Sequence, residues 1–170
     1  MTLRSQQRQL REQQQFIGEQ SQNLQLERAE LLAAAEDRRT AQARKANMVF
    51  NVVGEGNDGS GRPTAYDHWG VYFQNGSDEA FFNVTVRFGD AYLAASVVEQ
   101  SAMEHPDHGR RTLPVDQLGA HRALTFESPR WPEATVDNNY PTAYFTDASG
   151  QRWKLDRHMT LTPQPDDAGL

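Results

Sequence analysis

The chain has 170 residues, with 17 Lys and Arg against 23 Asp and Glu, and therefore a formal net charge of −6. This acidic balance argues against nucleic acid as the main partner, and the absence of cysteine excludes disulfides, thiolate zinc sites and a cysteine nucleophile. No apolar run approaches the roughly 20 residues that cross a bilayer, and residues 1–30 lack the apolar segment of a secretory signal, so the cytoplasm is the expected location.

Composition changes near Asn47. Residues 1–46 hold no Pro, one Gly and ten of the fifteen Gln, with eight basic and six acidic residues, a net charge of +2. The remainder holds all eight Pro, all three Trp and all five Tyr, with nine basic and seventeen acidic residues, a net charge of −8. The first composition favours helix and the second favours short strands and turns. We therefore predict a helix over residues 1–46, a β domain over 47–162 and a disordered tail over 163–170.

The predicted helix repeats a large apolar side chain every seven residues. The repeating residues are Leu3, Leu10, Ile17, Leu24 and Leu31. A heptad spacing places them on one seam of a helix that coils around a partner, so they are the candidate partner-binding residues of this segment. If they occupy the a positions, the d positions are Gln6, Gln13, Gln20, Glu27 and Ala34. Polar d layers weaken such a seam and help to set its register or oligomer number.

Two interpretations of this helix compete. In the first it is a stalk that joins copies of the chain or holds the β domain at a distance. In the second it folds back over one face of the sheet, or is a half-disordered tail. A sustained seven-residue repeat favours the stalk, because packing on a sheet would suit a period of 3.6. Without a partner the helix should fray from its N-terminus.

The first half of the β domain alternates clearly. Residues 48–53 are predicted to form a strand, residues 54–61 a loop with four glycines, and residues 68–74 a second strand. Residues 82–88 alternate without a fault, which is typical of an antiparallel sheet with one solvated face. The side chains expected to point into the core from this third strand are Phe82, Val84, Val86 and Phe88.

The second half contains shorter elements. Residues 91–98 form a possible strand, a polar loop follows, and Pro114 interrupts pairing. Residues 123–127 are a strand, and residues 128–139 a long connection with two prolines and no helix. The chain then forms a hairpin with strands at 142–146 and 151–155. Six to eight short strands with no helix between them predict a mainly β fold, a two-sheet antiparallel sandwich.

This layout resembles a group of uncharacterised actinobacterial proteins in which a Gln/Arg-rich helical, coiled-coil segment precedes an immunoglobulin-like β-sandwich. The resemblance is carried by the helix at 10–45, the strand and turn at 71–77, the strand at 83–88 and the hairpin at 145–153. It implies the same fold here, an immunoglobulin-like sandwich after one long α-helix, and no particular activity. Members often carry a transmembrane helix before the helical segment, so membrane association is expected only if an anchor lies upstream of Met1.

The weak metal candidates are His105, Asp107 and His108, since two imidazoles and a carboxylate within four residues suit Zn²⁺ or Ni²⁺. Pro106 keeps the segment out of a helix, so the two rings need not converge, and a solvated polar loop is the favoured interpretation. We expect no metal and no cofactor.

Candidate partner-binding residues of the β domain are Arg130, Trp131 and Tyr140, because Trp, Tyr and Arg dominate binding hot spots. The favoured alternative for Trp131 is that it tucks under its loop and caps the core. Trp69 and Trp153 lie in alternating strands and are predicted core residues.

No catalytic motif is present, so the leading hypothesis is a non-enzymatic interaction or scaffold module. The helix would serve oligomerisation or spacing, and the sandwich would bind a protein partner or a second copy. One alternative is a membrane-proximal stalked sensor whose anchor is missing from this chain. The other is a ligand- or metal-binding sandwich that uses Trp131 together with His105 and His108.

Overall fold

A computed structural model describes residues 2–100 and 109–166. The chain divides into two compact units, one ending at Arg38 and the other beginning at Arg39. In chain order the elements are α1 (Leu3–Ala43), β1 (Ala46–Glu55), β2 (Ala65–Asn75), β3 (Phe81–Phe88), β4 (Tyr92–Leu93), β5 (Ser96–Glu99), β6 (Val115–Leu118), β7 (Ala123–Glu127), α2 (Glu133–Asn138), β8 (Pro141–Thr146), β9 (Arg152–Leu155) and β10 (Leu161–Gln164). The predicted class, one long N-terminal helix before a mainly β body, is confirmed.

Helix α1 is continuous because its Gln, Glu, Arg, Leu and Ala residues are good helix formers and no proline interrupts them. It ends three residues before the predicted boundary, since Ala46 already belongs to β1. Its last turn is fixed to the β body. The Gln42 side chain donates to the Ala80 carbonyl at 3.2 Å and accepts from the Ala148 backbone N–H at 3.0 Å.

The described strands form two antiparallel sheets that enclose the core. One sheet has the order β1-β2-β7-β5; the other has the order β10-β9-β8-β3-β4, with β6 also paired to β3. Trp69 and Trp153 are each 6% exposed, which confirms both as core residues. The largest side chains sealed between the sheets are Phe73, Phe81, Phe88, Phe126, Phe145, Leu118 and Leu124.

The predicted inward face of β3 is wrong at one residue. Val84, Val86 and Phe88 are fully buried as expected, but Phe81 is buried in place of Phe82. Asn83 adopts a φ of +49°, and the pairing with β8 slips by one residue between Phe82 and Thr85. This β-bulge shifts the alternation by one residue. The buried side chains are therefore at an odd-numbered position before the bulge and at even-numbered positions after it.

Further corrections concern the later part of the chain. Residues 128–139 do contain a helix, α2, which begins after Pro132, a position where the missing proline N–H costs nothing. The predicted strand 91–98 is two strands, β4 and β5, that join different sheets. A strand follows Pro114, namely β6.

The predicted disordered tail is wrong at its start. Pro163 and Gln164 lie in β10, which pairs with β9. Since β10 is an edge strand in the described sheet, one side of it needs no hydrogen-bond donor, and a proline is tolerated there. Residues 167–170 lie outside the described residues.

Candidate functional site

The apolar ladder of α1 is exposed along its whole length. Relative exposure runs from 57% at Leu10 to 77% at Leu3. Its other members are Ile17 at 64%, Leu24 at 65% and Leu31 at 72%. Burying a side chain of this size contributes roughly 1.5–3 kcal/mol, so this seam has a large free energy to gain from a partner.

The structure does not bring the three predicted loop residues into one site. Trp131 is half-buried, with its ring centroid 6.1 Å from that of Phe88 and 4.7 Å from that of Tyr92. Its backbone N–H also donates to the Asp67 carbonyl at 2.7 Å. The interpretation that it caps the core under its loop is therefore confirmed.

Arg130 lies in a cleft of about 350 Å³ beside β2. Its Nη1 donates to Asp67 Oδ2 at 2.8 Å, and the imidazole of His68 donates from Nδ1 to the other oxygen of the same carboxylate at 2.5 Å. Asp67 is the extra residue of a bulge, because Val53 pairs with His68 and Gly54 with Tyr66. The hydrogen bond from His68, and then that from Arg130, lowers the pKa of Asp67.

This carboxylate orients the His68 ring, which is 5% exposed, and leaves Nε2 as its free acceptor when the ring is neutral. Nucleophilic catalysis would need a hydroxyl beside that nitrogen. Among the described residues none is bonded to it. Ser128 Oγ instead accepts from the Trp69 N–H at 2.9 Å and donates to the Pro129 carbonyl at 2.8 Å. The arrangement holds the His68 ring in a fixed orientation, but it lacks the hydroxyl partner of a catalytic triad.

Tyr140 belongs to a different cleft, of about 400 Å³, between β1 and the loop at 60–63. Its ring centroid lies 5.2 Å from that of Trp69 and 6.4 Å from that of Phe50. The guanidinium of Arg157 lies 4.3 Å from the Tyr140 centroid, a cation–π contact. Sequence reasoning missed this aromatic cluster because its members are up to 90 positions apart in the chain, and no local pattern joins them.

The weak metal candidates His105, Asp107 and His108 lie outside the described residues. Within residues 2–100 and 109–166, no three His, Asp or Glu side chains are grouped to hold a metal ion. His121 Nε2 is 2.8 Å from Asp78 Oδ1, and His158 Nε2 accepts from Arg157 Nε at 3.1 Å. The described histidines His68, His121 and His158 thus have separate hydrogen-bond partners.

A charge cluster fixes one end of β5. Glu99 accepts from Arg111 Nη1 at 2.6 Å and from Arg122 Nε at 2.8 Å, and its side chain is 13% exposed. Burial alone would raise the pKa of Glu99, but the two guanidinium groups outweigh it, so the pKa lies below its ordinary value.

Glu99→Gln should therefore lower the free energy of unfolding by about 1–2 kcal/mol at pH 7. A pKa that is lower in the folded than in the unfolded chain stabilises the fold above the ordinary Glu pKa of about 4.3. That stabilisation is lost as the pH falls through the folded value. Denaturant titrations at pH 7 and pH 3 should show the deficit of the variant shrinking in acid; an equal deficit at both values would contradict the ion-pair explanation.

No protein-family model, curated protein or solved structure matches this chain. Within the described part of the chain, no helix combines the length and apolar character needed to cross a bilayer.

Proposed function

We propose that this protein is a non-enzymatic interaction module that self-associates through α1 and carries an immunoglobulin-like β-sandwich as its recognition body. One observation carries the proposal: five large apolar side chains at seven-residue spacing, all more than half exposed. Single exposed leucines are ordinary on a protein surface, but a row of them at coiled-coil spacing is the pattern of an unfilled interface.

The polar d positions set the strength of this association. Each heptad contributes one apolar layer where a stable coiled coil has two, and the intervening layers hold Gln or Glu in four of five cases. The association is therefore moderate and depends on concentration. Helix α1 has no acidic residue in its first turn to offset its dipole. Its N-terminal turns therefore depend on the self-association for part of their stability.

The sandwich adds two exposed groups for a protein partner. The Arg130 side chain is 73% exposed and Tyr140 is 36% exposed, and both stand at the rims of the clefts described above. Trp131 is partly buried and packs against the core instead.

The test is a pair of double variants of the full chain with the same added charge. Leu24→Glu with Leu31→Glu places carboxylates on the ladder. Gln22→Glu with Ala29→Glu places them two residues earlier in each heptad, on the opposite face of the helix. We expect the first pair to weaken self-association at least about 100-fold, equivalent to about 2.7 kcal/mol, and the control pair to leave it unchanged.

Sedimentation equilibrium over a wide concentration range measures both effects, and circular dichroism reports the helix content. A wild-type chain that stays monomeric at every concentration would refute the proposal. Equal weakening by the two pairs would also refute it, because the effect would then come from net charge and not from the ladder.

A further inference from the structure

Strand β1 is a long edge with no partner on one side. Its ten residues pair only with β2 among the described residues, at the end of the order β1-β2-β7-β5. The backbone N–H and C=O groups on its other side therefore have no partner strand among the described residues. Such an edge is a template for another strand unless the protein blocks it.

Three other sheet edges, β5, β10 and β4, carry recognised protection. Beside β5, Glu99 donates its backbone N–H to the Gly109 carbonyl at 2.7 Å, and Arg111 donates to the Val97 carbonyl at 3.0 Å. Strand β10 contains Pro163, and β4 has only two residues. Strand β1 has none of these devices, and it carries no charged residue from Ala46 to Gly54.

The outer face of β1 is self-complementary. Its exposed side chains alternate along the strand as Asn47, Val49, Asn51 and Val53, with Val49 49% and Val53 41% exposed. In an antiparallel pair of two such strands centred on Asn51, each Val49 stands opposite the partner strand's Val53. The two Asn51 side chains stand opposite each other. Apolar residues then meet apolar residues, amide meets amide, and no like charges are opposed.

A cleft of about 400 Å³ flanks the middle of the strand and is lined by residues 50–52, the loop at 60–63, Trp69 and Tyr140. No backbone hydrogen bond of the described residues joins this loop to the middle of β1; the loop closes on itself through the Asp58 N–H and the Arg62 carbonyl at 3.2 Å.

We infer that β1 pairs antiparallel with β1 of a second copy, centred on Asn51, so that two four-stranded sheets join into one of eight strands. The pairing uses a surface distinct from the α1 ladder and does not rest on the association proposed above. An uncharged self-complementary strand makes a second copy of this chain the occupant that the observations favour.

The absence of native cysteine allows a direct test with single substitutions in the full chain. Opposed Cα atoms in an antiparallel pair lie about 4.5–5.5 Å apart, within the span of a disulfide. Asn51→Cys should therefore form disulfide-linked dimer under mild oxidation. In the same register Val49 and its own counterpart are offset by four residues, about 13 Å, so Val49→Cys alone should not. A mixture of Val49→Cys and Val53→Cys chains should cross-link to each other.

The three oxidations are run both in the wild-type background and with Leu24→Glu and Leu31→Glu present. We expect Asn51→Cys to give at least about tenfold more dimer than Val49→Cys in both backgrounds, because the geometry selects one position. In the background with Leu24→Glu and Leu31→Glu, the cross-linking should persist while the mass of the assembly falls to that of a dimer. That result would support β1 pairing independently of the α1 ladder.

Two results would overturn the inference. Equal yields from Asn51→Cys and Val49→Cys would show collision without a fixed register. No cross-link at any position would exclude a second copy and leave the edge to an extended segment of a different chain. Asn51→Lys provides a check without oxidation, since two ammonium groups would then be opposed; it should abolish the dimer that remains in the helix-variant background.

Discussion

Phe81→Ala is expected to lower the free energy of unfolding by about 3–5 kcal/mol, the range for deleting a buried aromatic side chain. Phe81 is fully buried, and its ring centroid lies 4.5 Å from that of Phe145 and 6.2 Å from that of Phe73. Removing it leaves a cavity in the most closely packed aromatic cluster between the sheets. The neighbouring bulge limits how far β3 can collapse into that cavity.

Phe82→Ala is the matched control, with the same side chain deleted one residue later. Phe82 is only partly buried and lies on the other face of β3, so the expected loss is less than about half that of Phe81→Ala. Chemical denaturation followed by fluorescence measures both values. Equal losses, or a larger loss at Phe82, would mean that β3 alternates without the bulge at Asn83.

This pair of phenylalanines shows what the sequence pattern can and cannot predict. Alternation from Val84 to Phe88 is a local property with a period of two residues, so the buried face of that stretch was predicted correctly. The bulge at Asn83 is not local in origin. It depends on how β3 must pair with β8 on one side and with β6 on the other, and Asn is simply a residue that tolerates positive φ.

Other elements divide in the same way. The strand at 123–127 and the β8–β9 hairpin have strong local turn and β signals, and both were predicted closely. Strand β10 was missed because Pro163 argues against a strand unless its position at an edge is known. Helix α2 was missed because its six residues are too few to show a period.

The same distinction applies to the candidate surfaces. The α1 ladder repeats every seven residues and was visible in the sequence, and its side chains are exposed. The coiled-coil partner that the spacing indicates stays a prediction. The clefts were not visible, because Asp67 reaches Arg130 and Phe50 reaches Tyr140 only after the strands are paired. The free edge of β1 follows from strand order, which composition and alternation do not determine.

Asp147→Ala is expected to cost about 3–4 kcal/mol of unfolding free energy, since it removes a charged acceptor from one buried and three part-buried donors at once. Asp147 is 1% exposed in the loop between β8 and β9. Its Oδ1 accepts from the Ser149 N–H at 2.9 Å, the Ser149 hydroxyl at 2.6 Å and the Gln151 N–H at 3.0 Å. Its Oδ2 accepts from Trp153 Nε1 at 2.8 Å.

The hydrogen bond from the Trp153 indole to Asp147 accounts for most of the large effect expected of Asp147→Ala. Asp156 supports the next loop in a similar way, with Oδ1 accepting from the His158 N–H at 2.8 Å and the Thr160 N–H at 2.9 Å. Those bonds are exposed, and no indole joins them. Asp156→Ala should therefore cost less than about 1.5 kcal/mol, the upper range for an ordinary hydrogen bond.

A double-variant cycle with Trp153→Phe separates the indole contribution from the turn. If the buried Nε1–H without an acceptor causes most of the loss, removing that N–H should recover about 1–3 kcal/mol of the Asp147→Ala deficit. The comparison is made against Trp153→Phe alone, which carries the cost of the smaller ring. Additive losses, or an Asp156→Ala deficit as large as that of Asp147→Ala, would show that turn geometry and not the buried indole determines the stability of the hairpin.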